Sequence, residues 1–177
     1  METQTASTKK IGVNYGLILG LISVAFSVVI WVLGMSAERP WWTSALSVAI
    51  MVALIVYGLK AFKAANAGFM SLGEALKTGL TISLISGLIG ALFMYLFVTV
   101  IEPDFIGQIL EQTERQMYEQ NPNITDEQAE MGLKMTEKFT TPWMMSLFGL
   151  IGTLFFGFII SLIAGLAMKN NKPEHLQ

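Results

Sequence analysis

Glu102 and Asp104 stand either side of Pro103. Two carboxylates so close are the pair in this chain best suited to acid–base chemistry, one giving a proton and one taking it. The same residues have a structural use. Pro103 suits the first turn of a helix, Glu102 the cap before it and Asp104 its positive first turn, and this reading is the stronger. Other chemistry has little to work with. The chain has no cysteine, which excludes thiolate nucleophiles, disulfides and Cys-based zinc or iron–sulfur ligation. Its single histidine, His175, falls in the last few residues, so there is no histidine pair for a metal. Asn121, Asn123 and Thr125 begin like a calcium loop, but Asp126 stands where that loop needs glycine and Gly132 where it needs glutamate. The residues therefore predict no catalytic site, no metal, no cofactor and no nucleic-acid partner.

The elements that would carry any such site are apolar. Hydrophobic residues make up 53% of the 177 and charged residues only 14%, against about 25% charged in soluble domains. Four blocks, Ile11 to Ala37, Trp41 to Leu59, Thr78 to Ile101 and Thr140 to Met168, contain no Asp, Glu, Lys or Arg. Each reaches the roughly 18–20 residues that cross a bilayer as a helix. The predicted fold is an all-α membrane protein with four transmembrane helices, over about 11–36, 41–60, 78–101 and 142–168. An extramembrane helical hairpin over about 103–140 separates spans three and four.

Local signals mark the connections. Asn66-Ala-Gly68 reads as a turn. Ser71 to Glu74 and Thr125 to Gln128 match capping boxes, so the third helix should start near Leu72, before the membrane. Phe105, Ile106, Ile109, Leu110 and Met117 form an apolar stripe at helical spacing, and Met131, Met135 and Phe139 follow in steps of four. Such stripes pack on one another or on a membrane surface.

Lysine and arginine near the span ends set orientation. The side of the two termini and the second loop holds seven, Lys9, Lys10, Lys60, Lys63, Lys77, Lys169 and Lys172; the other side holds Arg39, Arg115, Lys134 and Lys138. Both termini are therefore expected in the cytoplasm. Ten of the thirteen acids, Glu38 and Glu102 among them, fall on the outer side, against Glu2, Glu74 and Glu174 inside. Trp31, Trp41, Trp42 and Trp143 all fall toward the outer face, where indole rings anchor at the headgroups.

The spans hold no acid, base or histidine, which argues against a proton-coupled pump. What they do hold is small residues every fourth position. Gly12, Gly16 and Gly20 lie in span one, and Ala45, Ala49 and Ala53 in span two. Span three has Gly79, Ser83, Gly87 and Ala91, and span four has Gly149, Thr153, Gly157, Ser161 and Gly165. In lipid such stripes let helix backbones approach closely. They predict a compact bundle within one chain, or a homo-oligomer using one of the stripes.

YGLILGLIS in span one, GFMSLGEALKTGLTISLISGLI into span three, IEPDFIGQILEQ after it, TDEQAEMGLKMTEKFTTPW and FFGFIISLIAGL occur in this order. In order and spacing the chain resembles the bacterial four-helix membrane family catalogued as domain of unknown function 4199. The resemblance implies a bacterial inner-membrane protein and brings no catalytic residues with it. Together these readings point to a non-enzymatic interaction or membrane-organising protein, with the bilayer and a second copy or another membrane protein as partners. The alternative is a small transporter or channel subunit.

Overall fold

The computed structural model describes residues 7–36 and 40–172. Glu2, Ala37, Glu38, Arg39, Glu174 and His175 lie outside the described residues. Six α-helices follow in order: α1 (Thr8–Val32), α2 (Trp41–Ala65), α3 (Leu72–Leu96), α4 (Phe105–Gln120), α5 (Asp126–Phe139) and α6 (Pro142–Met168). A π turn, Phe97–Ile101, extends α3. Four of these helices, α1, α2, α3 with its π turn, and α6, are long and apolar enough to cross a membrane. The chain is thus an all-helical, multi-pass membrane protein with a two-helix excursion between the third and fourth spans.

The helix ends follow their caps. Ser71 and Thr125 each complete a capping box, with Glu74 and Gln128. The first span stops at Val32, four residues earlier than the apolar run suggests. Gly34 adopts φ +71° there, and the Met35 N–H reaches the Ile30 carbonyl at 3.0 Å, a glycine stop that ends the helix while the apolar residues continue. The second span runs past Lys60 to Ala65, since lysine is a good helix former and its long stem lets the charge reach the headgroups. It ends at Asn66, where Ala67 and Gly68 take positive φ.

α3 is the hub. It forms broad interfaces with α1 on one side and α6 on the other, while α2 makes narrower contacts with all three. The two broad interfaces use opposite fits. Against α1, the glycines receive β-branched side chains: a Cβ built on Gly16 would stand 2.7 Å from Ile85 Cβ, and one on Gly20 3.0 Å from Ile89 Cβ, with Gly12 equally filled by Thr81. Against α6, running antiparallel, small residues alternate. Ser161 occupies the space a side chain would need at Gly79, Ser83 does so at Gly157, Thr153 approaches Gly87, and Ala75 approaches Gly165. Both backbones can come close because neither helix presents bulk at these levels.

Ala45, Ala49 and Ala53 do not share this role. They are exposed, and α2 instead buries Ile55, Gly58, Leu59 and Phe62. Residues 53 and 55 lie about 200° apart around a helix, so only one of the two faces can point inward. α2 contacts α1, α3 and α6, and its large buried side chains fill the volume between them. The stripe on α6 also ends early: Gly149 is exposed, and nothing lies within 4 Å of where its Cβ would be.

Two clasps hold the end of the bundle that carries the start of α1. Met70 and Asn170 exchange backbone hydrogen bonds of 2.8 and 2.9 Å, joining the α2–α3 connection to the segment after α6. Lys63 Nζ donates to the Met168 carbonyl at 2.8 Å, placing a cation on the negative end of α6.

Candidate functional site

The features with chemical interest collect at the opposite end, where α4 and α5 join the bundle. The π turn starts the arrangement. It takes in one more residue than an α turn, and the Glu102 N–H bonds to the Phe97 carbonyl at 2.7 Å. Glu102 then emerges opposite the last turn of α1. One of its carboxylate oxygens accepts from Trp31 Nε1 at 2.9 Å, and the other accepts from Gln108 Nε2 at 2.9 Å. Glu102 is therefore not the helix cap. Asp104 holds the capping position without a side-chain bond, and it is exposed. Glu102 is occupied by two donors while Asp104 is exposed, so Glu102 alone works as a strap between α1, α3 and α4.

Below the strap lies an aromatic cluster. Phe97 meets Trp31 edge-on at 6.2 Å and Phe105 edge-on at 5.2 Å, and Phe93 lies 5.8 Å from Phe97. Such edge contacts add to the area buried. Phe97, Val98 and Phe105 are buried here, with Ile109 and Met145 packed against them. Trp31 is half-buried and bonded, so it braces the bundle, whereas Trp41, Trp42 and Trp143 are exposed at the same end.

Replacing Glu102 with glutamine leaves one oxygen for two donors. A hydrogen bond to a charged group contributes about 1.5–3 kcal/mol, so Glu102→Gln should cost about 1–2 kcal/mol of local stability. Faster hydrogen exchange at residues 97–109, with the remaining spans unchanged, is the expected readout.

Beside the cluster a cleft of ≈ 420 Å³ separates α3 from α6. Gly87, Gly90, Ala91 and Met94 line it from α3, Met145, Ser146, Gly149 and Thr153 from α6, Phe105 and Ile109 from α4, and Ser36 from the segment after α1. A smaller cavity of ≈ 100 Å³ continues past Gly90 and Met94 toward Ser23 and Ser27 of α1. The hydroxyls of Ser146 and Thr153 donate to carbonyls of their own helix, Pro142 at 2.9 Å and Gly149 at 2.8 Å. The same holds for Thr78, Ser83 and Thr99 elsewhere in the third span. The predicted packing residues thus divide. Gly12, Gly16, Gly20, Gly79, Ser83, Gly87, Thr153, Gly157, Ser161 and Gly165 meet across helices. Ala91 and Gly149 face the cleft, and the three alanines of α2 face outward.

The hairpin beyond is held together toward its tip. Met117 of α4 fills the space above Gly132 of α5. Tyr118 donates to Asp126 Oδ1 at 3.0 Å, and this bond, followed by desolvation, holds the phenol above its ordinary pKa. Lys134 lies 2.7 Å from Glu130 and holds that carboxyl below its usual range. Because the phenol's folded pKa is raised, its contribution is complete below the ordinary tyrosine range and is lost as pH rises through the raised value. Limited proteolysis at residues 121–125 should therefore accelerate above about pH 10, and Tyr118→Phe should remove that pH dependence.

The π turn, the Trp31–Glu102 bond and the cleft are not written in the sequence as motifs. The one signal was an acid placed directly after an apolar span, which asks for a partner. No curated protein and no solved structure matches this chain. A family described as protein of unknown function (DUF4199) matches residues 14–170, from early in α1 to the Asn170 clasp. The chain, with its four apolar membrane-length helices, belongs to the DUF4199 family of proteins of unknown function.

Proposed function

We propose that this chain is a non-enzymatic, membrane-organising protein of the bacterial cytoplasmic membrane, with both termini in the cytoplasm and the acidic α4–α5 hairpin in the periplasm. The observation that carries the reading is an exposed apolar face of α5. Met131, Met135 and Phe139 are 68%, 63% and 51% exposed. Around the helix the middle of this stripe lies about 120–160° from Ala129, Glu130 and Glu137, with Gly132 and Lys138 at its borders. Phe139 stacks at 6.2 Å on Phe148. Phe148 is six residues into α6, about 9 Å along its axis, so the foot of α5 reaches down to the level of the span. Phe148 is exposed and shares a face of α6 with exposed Phe155. A helix with an apolar side continuous with a lipid-facing surface lies in the headgroup layer, its charged side to water. The lysine distribution and the tryptophans at the hairpin end support the orientation.

Spin labels on cysteines at Met135 and Glu137, in a chain free of native cysteine, test this directly. In vesicles the label at 135 should relax with oxygen and be shielded from a water-soluble nickel chelate, and the label at 137 the reverse. Equal exposure of both to the chelate would exclude a membrane-lying α5. Solute-specific flux in proteoliposomes would instead support a small transporter or channel subunit.

A further inference from the structure

We infer that Lys9, Lys10, Lys60 and Lys77 form a collar that selects anionic phospholipid headgroups around one end of the bundle. The register of the helices brings the four to one level. α1 and α3 run in the same direction, with Gly12 against Thr81, Gly16 against Ile85 and Gly20 against Ile89. One turn before these contacts Thr8 is level with Lys77, and Lys9 and Lys10 follow it. α2 runs the other way, with Thr43 near its start beside Ile30 and its Gly58 against Tyr15 and Ile82. Lys60 therefore lies about 3 Å beyond Gly58 toward the same end. Along the bundle the four lysines fall within about 6 Å of one another. All are exposed, and none is in an ion pair among the described residues. Glu74, the acid nearest this level among the described residues, is already held: its carboxylate accepts from the Ser71 N–H at 2.7 Å and the Ser71 hydroxyl at 2.8 Å. Lys63 is left out of the collar because the Met168 carbonyl occupies it.

Depth identifies the partner. From Lys10 to Trp31 is about 32 Å along α1, and from Lys60 back to exposed Trp41 about 29 Å along α2. The hydrocarbon core of a bilayer is about 30 Å thick. A span with its indoles in one headgroup layer thus holds these ammoniums in the other. Exposed Tyr57, its ring centre 5.9 Å from the Lys60 ammonium, is an aromatic of that same layer. The anions met at this depth are lipid phosphates. A zwitterionic headgroup brings its own cation to each phosphate. Phosphatidylglycerol leaves the charge uncompensated, so ammoniums without acidic partners favour it. The lysines girdle the bundle instead of sharing one side. Around α2, Lys60 lies about 150° from the middle of the buried face of Ile55, Gly58, Leu59 and Phe62. Around α3, Lys77 lies about 140° from Ile82, which meets α2. The inference stands whichever side of the membrane the termini occupy.

The test uses the full chain, free of native cysteine, reconstituted in phosphatidylcholine vesicles with a bimane on Leu84→Cys. Leu84 is exposed two turns from Lys77 on the same face of α3, about 10 Å deeper. Quenching by phosphatidylglycerol and by phosphatidylcholine, each carrying an acyl-chain nitroxide, gives their relative affinity beside α3. Phosphatidylglycerol should be favoured about fivefold, the effect of one lysine near an anionic surface, and about 1 M salt should remove most of the preference. Lys9→Gln with Lys77→Gln should bring the ratio close to one with helical content retained, and Lys77→Gln alone should lower it by a smaller factor. Lys60→Gln, on the far side of the bundle, should leave the ratio at this probe unchanged. Equal affinity for the two lipids in the chain with all four lysines overturns the inference. So does a preference kept by the double variant, or one lost equally in Lys60→Gln. A preference abolished by millimolar inorganic phosphate at fixed ionic strength would assign the lysines to a soluble anion and overturn the lipid reading.

Discussion

Gly157→Ala should destabilise the bundle by about 2–3 kcal/mol, as overpacking a tight core does, although alanine is the better helix former by about 1 kcal/mol. The added Cβ would overlap Ser83 Oγ and Cβ, which fill that space from α3. Neither helix can yield at this level alone, because one turn away Ser161 fills Gly79 in the same fashion. The side chain of Ser83 is the obstacle, so Ser83→Gly combined with Gly157→Ala should recover a large part of the loss. Contacting residues show coupling energies of about 0.5–3 kcal/mol, and this pair belongs at the upper end. Gly149→Ala, two turns away on the same helix, meets no atom within 4 Å and should be neutral within about 0.5 kcal/mol. Reversible unfolding in bicelles measures these three variants and Ser83→Gly alone. Equal effects at positions 157 and 149 would mean that α3 and α6 do not interlock as described.

Phe105→Ala should undock the hairpin while leaving the four spans folded. Phe105 is buried at the first residue of α4, against Phe97 and beside Ile109 and Met145. Emptying a buried phenylalanine site costs about 3–5 kcal/mol. α4 and α5 pack chiefly on each other, with few contacts to the spans, so little else can offset that loss. The strap from Glu102 to Trp31 and Gln108 would remain, but two hydrogen bonds contribute less than the aromatic contact removed. Protease cleavage within residues 105–139 should rise at least about tenfold, the change that 1.4 kcal/mol produces. Protection of the hairpin equal to that of the wild-type chain would contradict this account.

Much of the architecture was legible because a bilayer permits few solutions. A charge-free run near 20 residues long has to be a spanning helix, and the capping boxes at Ser71 and Thr125 announce helix starts through their own hydrogen bonds. Facing was harder to read. In a span that is apolar all round, hydrophobicity no longer marks the inside, and only small residues carry a signal. That signal indicates close approach somewhere without naming the partner. It led to the real contacts at Gly16 and Gly157, and it misled at Ala45, Ala49 and Ala53, where α2 packs through Ile55, Leu59 and Phe62 instead. Glu102 failed as a cap because the π turn rotates it toward Trp31, and nothing in Phe97-Val-Thr-Val-Ile101 advertises a π turn. The cleft was illegible for the same reason. It exists where a stripe ends, at Ala91 and Gly149, and sequence spacing alone continues the stripe through it.

The account rests on α3 as the hub that joins α1 and α6 inside one chain. Disulfide trapping tests it most directly, since no native cysteine competes. A Cβ on Gly87 would stand 3.4 Å from Thr153 Cβ, close to the roughly 3.5–4.5 Å that a disulfide requires. Oxidation of Gly87→Cys with Thr153→Cys in native membranes should give an intramolecular crosslink, seen as a monomer of altered mobility that reverts on reduction. Disulfide-linked dimers in its place, or two thiols that stay free, would contradict the account.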